Sequence, residues 1–211
     1  MDLDAFKTAV GEFATGVAVV TGAKDDVPYG FTVQTFVSLS LKPALVSVCP
    51  AKTAASWPEI RGSGHFCVNI LSQDQRELSD TMASDEELRF KNVDWRSGKT
   101  GSPVLAGAQS YVDCRLFKEF ETGDHTIVVG EVLDFGVGSD LKSPLLYFRG
   151  EYGQFGEKYE ITFSSLRYSK YRETDSASGY GGCKLSSSRC CSVQCRGIRR
   201  AGSCLLWTEA A

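Results

Sequence analysis

Apolar and polar positions alternate along the first 150 residues in short blocks, most with a strand period and a few with a helical one. Phe6, Val10 and Phe13 recur at i, i+4 and i+7, the stripe of an amphipathic helix that Asp2 or Asp4 can cap and Gly16 ends. Val17 to Thr21 is mostly β-branched and predicts a strand. Gly22 to Pro28 is charged and turn-rich, a hairpin loop. Tyr29 to Leu41 predicts a second, long strand, and Ala44 to Val48, introduced by Pro43, a third. Thr53 is placed to cap a short helix carrying Trp57, Ile60 and Arg61 and stopped by Gly62 and Gly64. His65 to Leu71 predicts a strand, and Ser72 caps a helix running through Leu78 toward Met82. Residues 84–103 are polar and loop-like, anchored by Phe90, Val93 and Trp95. Ala108 to Phe120 and Thr126 to Phe135 predict two long strands joined by Glu121-Thr122-Gly123-Asp124, and Leu145 to Phe148 predicts the last.

These elements amount to about seven strands and a few short helices that do not alternate with them. A doubly wound parallel sheet needs regular alternation. The expected class is therefore mainly β (α+β): an antiparallel barrel with short helices packed outside.

Composition adds a boundary. The 211 residues carry a net charge of −3, yet residues 159–211 hold eight Lys and Arg against four Asp and Glu, so the acidic excess lies in residues 1–158. Five of the eight cysteines (Cys183, Cys190, Cys191, Cys195, Cys204) crowd the last 29 residues, without the Cys-x-x-Cys pairs of a zinc site. No sustained period runs past about Lys170. The expectation is a domain over 1–158 and an atypical, disordered tail over 159–211 that reads like sequence joined from another reading frame. Cys49, Cys67 and Cys114 stand alone in apolar segments and read as small buried hydrophobes in a reducing compartment. An acidic chain without a basic excess disfavours nucleic acid. No apolar run approaches a membrane span, and the acidic start does not resemble a secretory signal, so a cytoplasmic location is expected.

Three stretches offer chemistry. Along Gly30–Ser40 a continuous strand puts Phe31, Val33, Thr35, Val37 and Leu39 on one face and Thr32, Gln34, Phe36, Ser38 and Ser40 on the other. The polar face reads either as a solvent face or as a wall that hydrogen-bonds the heteroatom edge of a planar ligand such as a flavin. In Cys49–Trp57 a strand ends, Lys52 and Thr53 appear and a helix begins, which is either an ordinary capped helix or a phosphate cradle with hydroxyls from Thr53 and Ser56. In Gly123-Asp124-His125-Thr126, His125 opens a strand, either as an exposed loop histidine or as a donor near reacting rings. His65, the other histidine, reads as structural. The nucleotide-binding glycine loops and the Gly-x-Ser-x-Gly and His-Glu-x-x-His motifs are absent, which leaves hydrolase and kinase readings without support.

Phe13–Thr21, Gly30–Phe36 with Ser38 and Ser40, Ser63–Leu71, Gly101–Leu105, Gly123–His125 leading to Val129–Val132, and Tyr147–Tyr152 together resemble the flavin reductase family with the FMN-binding split-barrel (Greek key) fold. The resemblance runs from Phe6 to about Tyr152. It implies a homodimeric NADH- or NADPH-dependent reductase of FMN, with FAD possible, that supplies reduced flavin to a separate monooxygenase. By position it implies flavin-ring contacts from Thr32, Val33, Gln34 and Thr35 with Ser38 and Ser40 beside them. It also implies a phosphate seat at Ala51, Lys52 and Thr53, Phe90 packed nearby, and His125 and Tyr152 on the nicotinamide side. Ala54 and Ala55 stand where related sequences often carry hydroxyl residues, which implies a weaker phosphate seat. A non-catalytic flavin carrier on the same barrel is the alternative.

Overall fold

A computed structural model of the chain describes residues 1–84, 89–139 and 142–155. The tail expected over 159–211 lies outside the described residues. After helix α1 (Leu3–Gly11) come β1 (Thr15–Gly16), β2 (Ala18–Lys24), β3 (Val27–Val33), β4 (Val37–Leu41) and β5 (Ala44–Val48). Helix α2 (Ser56–Ser63) leads to β6 (His65–Ile70), and a 3-10 turn over Gln73–Gln75 leads into α3 (Arg76–Ala83). Then follow β7 (Trp95–Ser97), β8 (Pro103–Leu105), β9 (Ser110–Glu121), β10 (Thr126–Val137), β11 (Leu146–Phe148) and β12 (Glu151–Gly153).

Seven strands form one antiparallel sheet in the order β3-β2-β6-β9-β10-β5-β4. Its two edge strands, β3 and β4, are consecutive in the chain and separated only by Gln34, Thr35 and Phe36. Four residue steps span at most about 14 Å, so the edges must lie close together and the sheet must curl into a barrel. The barrel stays open along that seam, because β3 and β4 do not pair with each other. The mainly β, antiparallel class read from the pattern is the one observed.

The core explains the curl. Val17 to Val20 are all buried, but to opposite sides. Ala18 and Val20 join Phe31, Val48, Trp57, Ile60, Phe66 and Val128 in one cluster. Val17 and Val19 join Leu71, Met82, Leu105 and Leu145 in another. A strand covered on both faces reads as an unbroken apolar run. Polar groups inside are paired: Asn69 donates Nδ2–H to Thr21 Oγ1 (3.0 Å) and accepts the Leu105 N–H at 2.9 Å. Among the described residues no buried side-chain polar atom lacks a partner.

Several boundaries differ from expectation. The predicted strand over 29–41 is two strands, so the continuous two-face alternation does not hold. Phe31 and Val33 are buried, whereas Val37 and Leu39 are exposed. The loop expected over 22–28 shrinks to Asp25-Asp26, both at positive φ (51° and 62°). Short aspartates tolerate that conformation in a two-residue hairpin turn. Helix α1 ends at Gly11 rather than Gly16. Asp2 caps it, accepting from the Asp4 and Ala5 N–H groups. Thr53 does not cap α2: its N-cap is Ala55, with no side-chain bond. Ser72 caps the 3-10 turn in a reciprocal box with Gln75, and α3 follows with Gln75 as its own N-cap. The stretch 84–103 is not wholly loop, since β7 lies inside it and pairs with β8, which begins at Pro103. Among the described residues no helix is long and apolar enough to cross a membrane.

Candidate active site

Where β3 stops pairing, a cleft opens. Its volume is about 450 Å³, and Thr32, Val33, Gln34 and Thr35 form one wall. Cys49, Pro50, Ala51 and Ala54, from the end of β5 and the turn into α2, face them. Met82 and Ala83 at the end of α3, Arg89 and His125 complete the lining.

The hydroxyls of the first wall are largely committed. Thr32 Oγ1 donates to the Ser79 carbonyl of α3 at 2.7 Å. Thr35 Oγ1 accepts the Cys49 N–H at 2.9 Å. Gln34 Oε1 accepts from Thr15 at 3.3 Å. What distinguishes this wall is backbone. The ladder stops at Val33, opposite Ala18, and resumes at Val37, opposite Ser47. The Gln34–Phe36 segment therefore lies outside the ladder, and Gln34 and Thr35 within it line the cleft.

The facing rim is stitched to the β9–β10 turn. Ala51 pairs with His125 in an isolated antiparallel bridge. The Lys52 N–H donates to the Asp124 carbonyl (2.9 Å) and the Thr126 N–H to the Pro50 carbonyl (3.0 Å). The His125 carbonyl accepts from Thr122 Oγ1 at 2.6 Å. His125 Nδ1 lies 2.8 Å from Asp124 Oδ1. That engagement leaves Nε2 as the ring nitrogen for a ligand. The His125 hydrogen bond also holds the Asp124 carboxyl below its usual range. Lys52 Nζ lies 2.7 Å from Glu121 Oε2.

The residues expected from sequence fall into two groups. Thr32, Val33, Gln34, Thr35, Ala51 and His125 come together around the cleft. Lys52 and Thr53 lie in the turn at its rim without lining it. Ser38 and Ser40 lie on β4 beyond the seam, and Ser40 Oγ accepts from the Lys42 N–H at 3.3 Å. Phe90 packs edge-on against Trp95, beneath Gly30. Tyr152 sits behind α3, its hydroxyl 2.9 Å from Ser79 Oγ and donating to Asp80 Oδ1 at 2.8 Å. Ser56, expected as a phosphate hydroxyl, is buried instead; its Oγ donates to the Gly30 carbonyl and accepts from Arg89 Nη1 at 2.6 Å. Sequence reasoning missed Arg89. It also donates Nε–H to the Ser84 carbonyl at 2.9 Å and Nη1–H to the Gly30 carbonyl at 3.0 Å, which fixes the guanidinium in the wall. Nothing in the run Leu88-Arg89-Phe90 sets that arginine apart.

Cys49 is a correction as well: it is half-buried on the cleft wall, whereas Cys67 and Cys114 are fully buried. Burial pushes the Cys67 thiol up, and raises that of Cys114 to about 12. The thiolate is the reactive form. Alkylation at pH 8 with peptide mapping should therefore label Cys49 and spare Cys67 and Cys114, and a ligand seated in the cleft should protect Cys49.

The arrangement fits a planar, hydrogen-bonding ring system: an open apolar-floored slot, a segment outside the ladder along one edge, a fixed guanidinium and a histidine at the mouth. Among the described residues no cluster suited to a metal ion occurs. Comparison with known proteins identifies the family. Residues 10–156 match the model of the flavin reductase like domain. The reductase subunit HsaB of a flavin-dependent monooxygenase from Mycobacterium tuberculosis is 41% identical over 153 residues, 72% of this chain and 82% of that protein. The FMN reductase (NADH) SmoA of Agrobacterium fabrum is 37% identical over 72% of this chain and 86% of its own. Component B of nitrilotriacetate monooxygenase from Mycobacterium thermoresistibile superposes with a TM-score of 0.72 at 39% identity, covering 74% of this chain and 88% of that one. On the match over residues 10–156 and these relatives, the chain belongs to the flavin reductase like domain family.

Proposed function

We propose that the protein is an NAD(P)H-dependent flavin reductase that supplies reduced flavin to a separate monooxygenase. The carrying observation is the break between β3 and β4, where Gln34 and Thr35 leave the ladder and line a cleft faced by Ala51 and His125. When bound, nicotinamide supplies a hydride and flavin accepts it. The chain's part is to hold the two rings in contact and exclude water. The Gln34–Phe36 backbone and the Gln34 amide meet the flavin edge. Phe31, Val33 and Met82 supply apolar cover. The turn over 51–55, with Lys52, Thr53 and the start of α2, seats the flavin phosphate. His125, with Nδ1 tied to Asp124, presents Nε2 at the cleft mouth, on the nicotinamide side.

FMN is the first flavin to test, with NADH as donor. Two further features belong to the same proposal. The catalytic unit ends near residue 158, supported by the family match over 10–156. The working form is a cytoplasmic homodimer. Support for the dimer is apolar surface left uncovered: α1 buries no residue although Leu3, Phe6 and Val10 share a face, and the edge strand β4 exposes Val37, Leu39 and Leu41.

The test is NADH oxidation followed by absorbance with and without excess FMN. Flavin-dependent loss of NADH is expected, and flavin binding without turnover would leave the carrier reading in its place. His125→Ala should lower the rate by about tenfold to 100-fold while flavin affinity stays near wild type, as removal of an orienting group costs the chemical step and not flavin binding. Unchanged turnover would remove His125 from the site.

A further inference from the structure

The rim of the cleft carries charges beyond those that the flavin reading uses. Lys52 does not stand as a free cation waiting for an anion. Its Nζ lies 2.7 Å from Glu121 Oε2. Glu121 is the last residue of β9 and pairs directly with Thr126, the first residue of β10. Thr126 bonds back to Pro50, His125 bridges Ala51, and Lys52 donates its own N–H to Asp124. Two backbone hydrogen bonds, which together make the Ala51–His125 bridge, thus clamp the tip of the β9–β10 hairpin onto the turn that carries Lys52. The carboxylate is delivered to the ammonium by the fold, not by a chance surface encounter. Lys52 holds the Glu121 carboxyl below its usual range and contributes to the same effect at Asp124. Lys52 is therefore paired with the Glu121 carboxylate at the edge of the cleft, with Asp124 next to it in the same clamp.

A cation paired in this way is already partly spent. A phosphate approaching the 51–55 turn must share Lys52 with Glu121 or displace it. We propose that Glu121 is an internal competitor for Lys52: it sets a deliberately weak grip on the flavin phosphate and so favours release of the flavin from the cleft. This rests on the reading of the 51–55 turn as the phosphate seat. It goes further in naming a residue outside the cleft that tunes affinity for phosphorylated flavins alone. A reductase whose product acts on another protein gains from such a device, since ring contacts can stay good for hydride transfer while the phosphate contact stays loose.

Both side chains are substantially exposed, so the effect is modest. Exposed pairs of this kind shift an equilibrium by about twofold to fivefold. The experiment is a fluorescence titration of the full chain with FMN and with riboflavin at low ionic strength, for wild type, Glu121→Gln, Lys52→Met and the double variant. Expected is a twofold to fivefold tighter FMN complex in Glu121→Gln, unchanged riboflavin binding, weaker FMN in Lys52→Met, and no gain from Glu121→Gln once Lys52 is gone. Weaker FMN in Lys52→Met with no change in Glu121→Gln overturns the competition and leaves the phosphate seat standing. Unchanged FMN binding in Lys52→Met overturns the seat itself and the competition with it. An equal gain for riboflavin in Glu121→Gln also overturns the competition, because riboflavin has no phosphate.

Discussion

Replacing Gly130 with alanine should destabilise the protein by about 3 kcal/mol, the upper end of what overpacking a core costs. Gly130 is buried in the middle of β10, between β5 and β9. A Cβ there would lie 2.4 Å from Phe66 Cζ and 2.9 Å from Cys114 Cβ. Neither neighbour can yield cheaply. Phe66 is fully buried and its ring meets Trp57 edge-on at 6.2 Å. Cys114 is fully buried in β9, paired with Val132 on β10 and held between β6 and β10. The strand itself cannot shift, since it is paired on both sides. Urea unfolding should show a lower midpoint at an unchanged slope. Gly16, where an added Cβ meets nothing within 4 Å, is the control and should tolerate alanine far better. Equal losses at the two positions would mean that backbone propensity, and not the Phe66 contact, sets the cost.

The same glycine shows what a sequence can and cannot disclose. The strand over 126–135 is legible because Ile127, Val128, Val129 and Val132 are β-branched, and its end at Val137 lies within two residues of expectation. That a glycine inside it is demanded by a ring 64 residues earlier in the chain is not, because Phe66 arrives through two intervening strand pairings. The cleft divides along the same line. Thr32 to Thr35, Ala51 and His125 were legible as a group through the motifs that carry the family resemblance. The break of the strand at Gln34–Phe36 was not, because Thr-Val-Gln-Thr-Phe alternates well enough to continue a strand and carries no Gly or Pro to stop it. The break follows from closure: one chain must serve both edges of the curled sheet, so its pairing partner changes from β2 to β5 within three residues. Thr53 failed as a cap for a comparable reason. Ala54 N–H bonds back to the Ala51 carbonyl, and this turn spends the residues that a cap would have used before α2 begins at Ser56.

Ala51→Phe should lower flavin-dependent NADH oxidation to about 1% of wild type or less while leaving the fold intact. Ala51 is half-buried on the cleft wall, opposite the Thr32–Thr35 segment and bridged to His125 through its backbone. Its methyl belongs to neither core cluster, so enlarging it does not overpack the barrel. A ring at that position occupies the slot in which two stacked rings must lie. Chemistry that depends on near-contact geometry loses on the order of 100-fold for a displacement of about 1 Å, and a phenyl group imposes more than that. The melting temperature should stay within about 2 °C of wild type, since substitutions at partly exposed positions away from the core fall within about 0.5 kcal/mol. Activity near the wild-type level would place the reacting rings elsewhere, with the apolar groove lined by Phe13, Val17, Phe36 and Val37 as the next place to probe. Lost activity together with a lost melting transition would instead make Ala51 a packing residue. The intended contrast, a silent cleft in a stable barrel, is therefore read from the two measurements jointly, and His125→Ala supplies the complementary case in which flavin still binds but hydride transfer slows.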